Sequence, residues 1–277
     1  PLARRRLPPQ VKRVKPAAIL AFLVLATPCM AEDSAPPPQE VAAFGESFKQ
    51  AGTAGTLVLG DPDGGALRVW NPGRAATRFI PASTFKIANS LIGLDCGAVK
   101  DVDEVLPYGG KPQMIKEWEK DAPLREAMKI SSVPVYQELA RRTGKERMAK
   151  GVAALDYGNM KTGEVVDRFW LDGPLEISAV EQVRFLGKLL KDELPVKRET
   201  MKTVRGIIPT ETVGKTVIHY KTGWGTATKP QIGWIVGWVE REGKQHPFAL
   251  NIDMEDIKDA GKRMVILKAC LKEARLL

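Results

Sequence analysis

Strand-like sequence sits at both ends of this chain, with helical sequence between. Near the start, residues 55–60 (Gly-Thr-Leu-Val-Leu-Gly) and 66–70 (Ala-Leu-Arg-Val-Trp) flank the turn Asp61-Pro62-Asp63-Gly64-Gly65, and residues 77–80 add a short third strand. Near the end, residues 217–224 and 231–240 are strand-like, the polar stretch 241–245 turns the chain, and 246–254 returns as another strand. Strands at both ends with helices between imply one sheet assembled from the two ends of the chain. The expected fold class is therefore α/β: an antiparallel sheet formed from both chain ends and flanked by helices, plus an inserted helical region. The sheet part is expected at about 32–80 and 206–277, the helical part at about 81–205. A short helix fits 40–50, and a last helix fits 256–276 with Ile257, Met264, Leu267 and Leu271 on one side. Pro134 and Gly144 bracket one inserted helix, and Ser178-Ala179-Val180-Glu181 has the form of a capping box. A cleft between the two layers is the natural place for a ligand.

Ser83-Thr84-Phe85-Lys86 opens a helix whose apolar stripe is Ile87, Leu91 and Leu94 and whose stop is Gly97. Positions i and i+3 share a helix face, so Ser83 and Lys86 point the same way, one turn apart. A serine hydroxyl is a poor nucleophile until a base takes its proton. Lys86 is the only basic side chain within a turn, and apolar neighbours can keep it desolvated. Three short motifs follow in order: Ser131-Ser132-Val133 in a turn entering a helix, Tyr157-Gly158-Asn159 in a loop, and Lys221-Thr222-Gly223 ending a strand before Trp224. Each is weak alone, whereas the ordered set, with fitting strand and helix contexts, is specific.

On these residues the chain resembles the class D serine β-lactamases, the oxacillinases, among the penicillin-recognising serine enzymes. The resemblance covers nearly all of residues 32–277. It extends to 81–86, 132–137, Phe169-Trp170-Leu171 with Ile177-Ser178-Ala179, and 234–238. The related class A set needs S-D-N, which is absent here, and a class C chain with Y-x-N would be much longer. The resemblance implies a β-lactamase/transpeptidase-like domain that hydrolyses β-lactams, penicillins and oxacillin-type drugs first. Ser83 would be acylated. Lys86 would be an N6-carboxylysine, carboxylated by CO2 or bicarbonate, and would act as general base, with no diffusible cofactor and no metal. Trp170 would donate its indole N–H to the carbamate, and Val133, Leu171 and Phe85 would wall it. Ser131 would relay a proton to the departing nitrogen, assisted by Lys221. Thr222, Gly223 and Trp224 would line the substrate strand, with the Ser83 and Trp224 backbone N–H groups as oxyanion hole. Thr222 and Arg263 would bind the drug carboxylate, unless Arg263 is an ordinary surface charge, Trp118 would line the mouth, and Tyr157, Gly158 and Asn159 would shape a loop. Some carbapenem-hydrolysing relatives carry an Arg in a similarly short loop after the Lys-Thr-Gly strand, where Ala227 stands here.

The net charge of +9 over 277 residues suggests nucleic acid at first sight. Six of those charges lie in residues 1–31 (Arg4, Arg5, Arg6, Lys12, Arg13, Lys15), where there is no acid. What remains is mildly basic, without an aromatic-interleaved stripe, so no nucleic-acid partner is expected. A basic start, a short apolar run at 17–26 and Cys29-Met30-Ala31 read as an export signal cleaved after Ala31, which predicts a periplasmic protein with no membrane attachment after cleavage. Monomer and homodimer both stay open. Cys96 and Cys270 are expected as small buried thiols. His219 and His246, the only histidines, cannot build a usual zinc site, and His219 reads as structural. The competing functional class is a non-hydrolytic receptor that is acylated at the same serine and does not turn over; a third is a cell-wall peptidase.

Overall fold

The computed structural model describes residues 36–277; the leader reading of residues 1–31 lies outside them. In chain order the elements are β1 (Gln39–Glu40), α1 (Ala42–Gln50), β2 (Gly55–Leu59), β3 (Arg68–Trp70), α2 (Pro72–Ala76), α3 (Lys86–Asp95), β4 (Val105–Leu106), β5 (Ala122–Pro123), α4 (Leu124–Ile130), α5 (Val133–Thr143), α6 (Lys145–Ala154), α7 (Ala179–Leu190), α8 (Arg198–Arg205), β6 (Thr210–Val213), β7 (Thr216–Gly225), β8 (Gln231–Arg241), β9 (Lys244–Met254) and α9 (Lys262–Glu273). One sheet runs in the order β1-β3-β2-β9-β8-β7-β6. The two ends of the chain meet where β2 pairs antiparallel with β9, Leu57 opposite Leu250.

Both faces of this sheet are buried, which explains why β8 reads as a nearly continuous apolar run. Leu57, Leu59, Ile235, Val239, Leu250 and Ile252 point into one cluster with Phe44 and Phe48 of α1 and Ile266, Leu267 and Leu271 of α9. Val58, Trp234, Val236, Trp238 and Ala249 alternate to the other side and join the inserted helices, including Val183, Leu186 and Leu189 of α7. Helix α7 starts on the capping box seen in the sequence: Glu181 N–H donates to Ser178 Oγ at 3.2 Å, and Ser178 N–H donates to Glu181 Oε2 at 2.8 Å.

Several local readings change. Residues 77–80 do not join the sheet. Phe79 instead makes an isolated antiparallel bridge with Ile177, because its N–H and C=O are taken by the chain entering α7 (3.0 and 2.8 Å). The sheet is not wholly antiparallel, since β1 pairs parallel with β3. The last helix begins as a 3-10 turn, Ile257–Gly261, and Ile257 is 53% exposed rather than part of the apolar side. Both Cys96 and Cys270 are free thiols, Cys270 buried and Cys96 half-buried.

Candidate active site

Ser83 lies in the 3-10 turn Ala82–Phe85, which leads directly into α3. Ala82 has φ +48°, a left-handed conformation that costs a non-glycine residue about 1–3 kcal/mol and persists only where surroundings impose it. Its N–H donates to the Trp170 carbonyl at 2.9 Å, which ties the 169–171 loop to the serine turn. From the other side β7 approaches: a Cβ on Gly223 would come within 3.0 Å of the Pro81 carbonyl oxygen and 3.1 Å of Thr84 Cγ2. Glycine at 223 thus lets the Lys221-Thr222-Gly223 strand lie against the serine turn without crowding it.

Lys86 is fully buried, and its Nζ lies 2.9 Å from Ser83 Oγ. Burial pushes its pKa well below the ordinary lysine value, and the charge of Lys221 pushes it further. An aromatic ring, Tyr136, sits 5.2 Å from that nitrogen; its hydroxyl is held 2.9 Å from Ser90 Oγ. Trp170 is buried and stacked on Phe85 at 5.3 Å. The indole Nε1–H of Trp170 has no hydrogen-bond partner among the described residues. A buried, unpartnered donor is costly; an anion beside it would satisfy it. Val133 and Leu171 are half-buried.

A second Lys–Ser pair is formed by Lys221 Nζ, which donates to Ser131 Oγ at 2.8 Å and to the Thr222 carbonyl at 2.9 Å. Lys221 is 2% exposed, and burial, reinforced by the Arg263 charge, lowers its pKa to about 7. Ser131 caps α4 with φ +58°, so its hydroxyl too is presented by a strained residue. Trp118 is 8% exposed and its Nε1–H donates to the Ile130 carbonyl at 3.0 Å. It braces the Ser131 turn.

Arg263 is not a surface charge. It is 8% exposed, with Nη1–H donating to the carbonyls of Gly223 (2.7 Å) and Trp234 (3.2 Å) and Nε–H to Ala260 (2.9 Å). Burial lowers its pKa to about 10. Helix α9 thus delivers a cation to the far side of the Lys-Thr-Gly strand. Thr222 and Trp224 are half-buried on β7, and the Trp224 indole donates to Gln231 Oε1 at 2.7 Å.

Tyr157 is fully buried against Phe85 and Phe185. Asn159 ties its loop to the 174–176 segment by donating Nδ2–H to the Pro174 carbonyl (2.8 Å) and accepting the Glu176 N–H (3.1 Å). Gly158 has φ +58°, and a Cβ there would lie 2.1 Å from the Glu176 carbonyl oxygen. Gly158→Ala is therefore expected to destabilise the protein by about 2–4 kcal/mol, from left-handed strain plus a backbone collision. A denaturant midpoint unchanged from wild type would contradict this.

Residues that the sequence motifs did not single out complete the picture: Ala82 by its backbone, Tyr136 by its ring beside Lys86, and Gln182 behind the serine turn. Only Tyr136 left a signal, being the aromatic one turn into the helix after Ser131-Ser132-Val133. A concavity of about 550 Å³ lies elsewhere, between the 60–65 turn and α7, and none of the motif residues lines it. His219 stacks on Trp238 at 4.4 Å, away from the serine. No cluster of three or more His, Cys, Asp or Glu side chains suited to a metal ion occurs among the described residues.

Residues 42–271 match the family described as the penicillin binding protein transpeptidase domain. The chain is 40% identical to β-lactamase OXA-48 of Klebsiella pneumoniae over 261 residues, covering 94% of this chain and 97% of that protein. It is 40% identical to β-lactamase OXA-5 of Pseudomonas aeruginosa over 243 residues, 87% of this chain and 90% of that one. Among solved structures, the class D β-lactamase FUS-1 (OXA-85) of Fusobacterium nucleatum subsp. polymorphum superposes with a TM-score of 0.83 at 42% identity, covering 86% of this chain and all of that one. The class D β-lactamase YbXI from Nostoc gives 0.82 at 37% identity, covering 84% and 99%. A serine held against a wholly buried lysine, a second lysine–serine pair beside it, and these likenesses in sequence and fold agree: the chain belongs to the class D β-lactamases.

Proposed function

We propose that this protein hydrolyses β-lactam antibiotics, penicillins and oxacillin-type drugs first, through an acyl-enzyme on Ser83. The observation that carries this reading is the Ser83–Lys86 contact of 2.9 Å, made by a wholly buried amine whose pKa burial lowers. A free lysine with pKa near ~10.4 is almost wholly protonated at neutral pH and does not attack CO2. Burial of Lys86 shifts it toward the neutral amine that does, and the Trp170 Nε1–H, without a partner among the described residues, is a fitting donor for the resulting anion. As a carbamate, Lys86 supplies a proton acceptor beside the hydroxyl.

The chain's own groups then divide the work. Ser83 Oγ forms the bond to the lactam carbonyl carbon as its proton leaves toward Lys86. The ring C–N bond breaks, and Ser131 passes a proton to the departing nitrogen, with Lys221 supplying it. The Ser83 and Trp224 backbone N–H groups face the developing oxyanion, where one such donor is typically worth a few kcal/mol. Thr222 and Arg263 favour the drug carboxylate, Arg263 acting through the field it places behind the Gly223 carbonyl as much as by contact. Before the second half the proton on Lys86 returns to the Lys221 side, which gave one to the nitrogen; a water then attacks the ester carbon, gives its proton to Lys86, and Ser83 Oγ takes that proton as the ester C–O bond breaks and the ring-opened acid is freed. The leader-like sequence of residues 1–31 supports catalysis in the periplasm. Among the described residues no helix is long and apolar enough to cross a membrane.

The test is steady-state hydrolysis of penicillins, oxacillin, cephalosporins and carbapenems, with and without added bicarbonate. Sustained turnover of penicillins, faster with bicarbonate in acidic or CO2-stripped buffer, is expected. One acylation per molecule followed by silence would make the protein a receptor instead.

A further inference from the structure

The turn carrying Ser83 is strained at Ala82, and something must close it. Part of the answer lies around it: the Trp170 carbonyl holds the Ala82 N–H, and Trp234 Nε1–H holds the Ile80 carbonyl at 2.9 Å. The closure across Ser83 itself is made by Thr84. Its N–H reaches the Pro81 carbonyl at 3.1 Å and its Oγ1–H reaches the same oxygen at 2.8 Å. A threonine hydroxyl has a single hydrogen on a free rotor, so nothing intrinsic commits it to that carbonyl.

Gln182 supplies the commitment. It lies on α7, 98 residues away in sequence, and its Nε2–H donates to Thr84 Oγ1 at 2.9 Å. With the oxygen already accepting from one side, the hydroxyl hydrogen is left for Pro81 on the other. The polarity runs one way: amide N–H to hydroxyl, hydroxyl to carbonyl. Both Thr84 and Gln182 are 1% exposed. Elsewhere the buried face of α7 is apolar, with Ala179, Val183, Phe185, Leu186 and Leu189. A buried amide among them is costly unless hydrogen-bonded, and a leucine would fill the space without that cost.

We propose that Gln182 is a positioning residue for acylation: by orienting the Thr84 hydroxyl it clamps the Pro81–Thr84 turn and keeps Ser83 Oγ at Lys86. It touches neither substrate nor reacting atoms, and the inference rests on the reading of Ser83 as nucleophile.

Single-turnover acylation by a chromogenic cephalosporin, resolving the dissociation constant of the initial complex from the acylation rate, tests this. The proteins are wild type, Gln182→Leu, Gln182→Met, Thr84→Ser, Thr84→Val and the Gln182→Leu/Thr84→Val pair. Either Gln182 variant is expected to slow acylation ~10-fold with the dissociation constant within about twofold, the pattern of a misplaced nucleophile. Thr84→Val should slow it similarly, Thr84→Ser by less than about twofold, and the double variant no further than Thr84→Val alone, because the amide acts through the hydroxyl. Wild-type rates in a folded Gln182 variant would overturn the inference. So would multiplying losses in the double variant, or equal losses in Thr84→Ser and Thr84→Val. Affinity and rate falling together in step with the thermal midpoint would mark Gln182 as merely structural and overturn it too. Wild-type protein that is not acylated at Ser83 would overturn the functional reading itself.

Discussion

Lys86→Ala is expected to lower sustained β-lactam turnover by ~10³-fold or more, since a positioned general base contributes about 10²–10⁴. The residue lies 2.9 Å from Ser83 Oγ, and among the described residues no other contact of that hydroxyl offers a base. Acylation should persist only slowly, and the acyl-enzyme should then accumulate, because the same group is needed to activate the water. Mass spectrometry of the variant with a penicillin should find one drug mass on the intact protein for hours. Turnover within tenfold of wild type would remove Lys86 from the mechanism. The pH dependence has a defined sign. Because the amine's pKa is depressed, its protonation is displaced toward acid, and protonated amine cannot hold CO2. Activity should therefore fall on the acidic side and be recovered there by bicarbonate.

Trp170→Phe is the second large effect. Phenylalanine keeps an aromatic ring against Phe85 and removes one atom that matters, the Nε1–H that is buried and unpartnered. A hydrogen bond to a charged group is worth about 1.5–3 kcal/mol, which corresponds to ~10- to 100-fold in affinity for CO2. At ambient CO2 the variant should lose activity by about that factor and regain most of it in bicarbonate. The carbamate carbon resonance of protein in labelled bicarbonate should be seen in wild type and reappear in Trp170→Phe only at raised bicarbonate. An undiminished resonance at ambient CO2 would show that the indole is an ordinary core ring.

Much of this was legible before the fold was known, because periodicity and turn chemistry are local. The strands at 55–60, 217–224, 231–240 and 246–254, the capping box at Ser178 and the stop at Gly97 all rest on such signals. What escaped the sequence is non-local. Residues 77–80 carry strand-like residues, but Ile177 took the backbone groups of Phe79. Helix α2 escaped for a different reason: its five residues give no periodicity to read, and its start is fixed by Asn71 Oδ1 accepting the Arg74 N–H at 3.2 Å. Arg263 sits on a helix dotted with charges, and only the carbonyls of Gly223 and Trp234, from strands far away in sequence, explain why it goes inside. The Ser83–Lys86 pair was readable as helix spacing, and the Ser131–Lys221 pair only through the resemblance to the class D enzymes; the left-handed backbone at Ala82 and Ser131 that aims the serines was not readable.

The pairing of Leu57 with Leu250 has a kinetic side. A strand laid down early must wait for a partner nearly two hundred residues later, and such distant pairings are the slow ones to form. Until the last strand has emerged the central sheet has an open edge, and the cleft chemistry has no wall to stand on. Chains that stop short of β9 are therefore expected to lack activity.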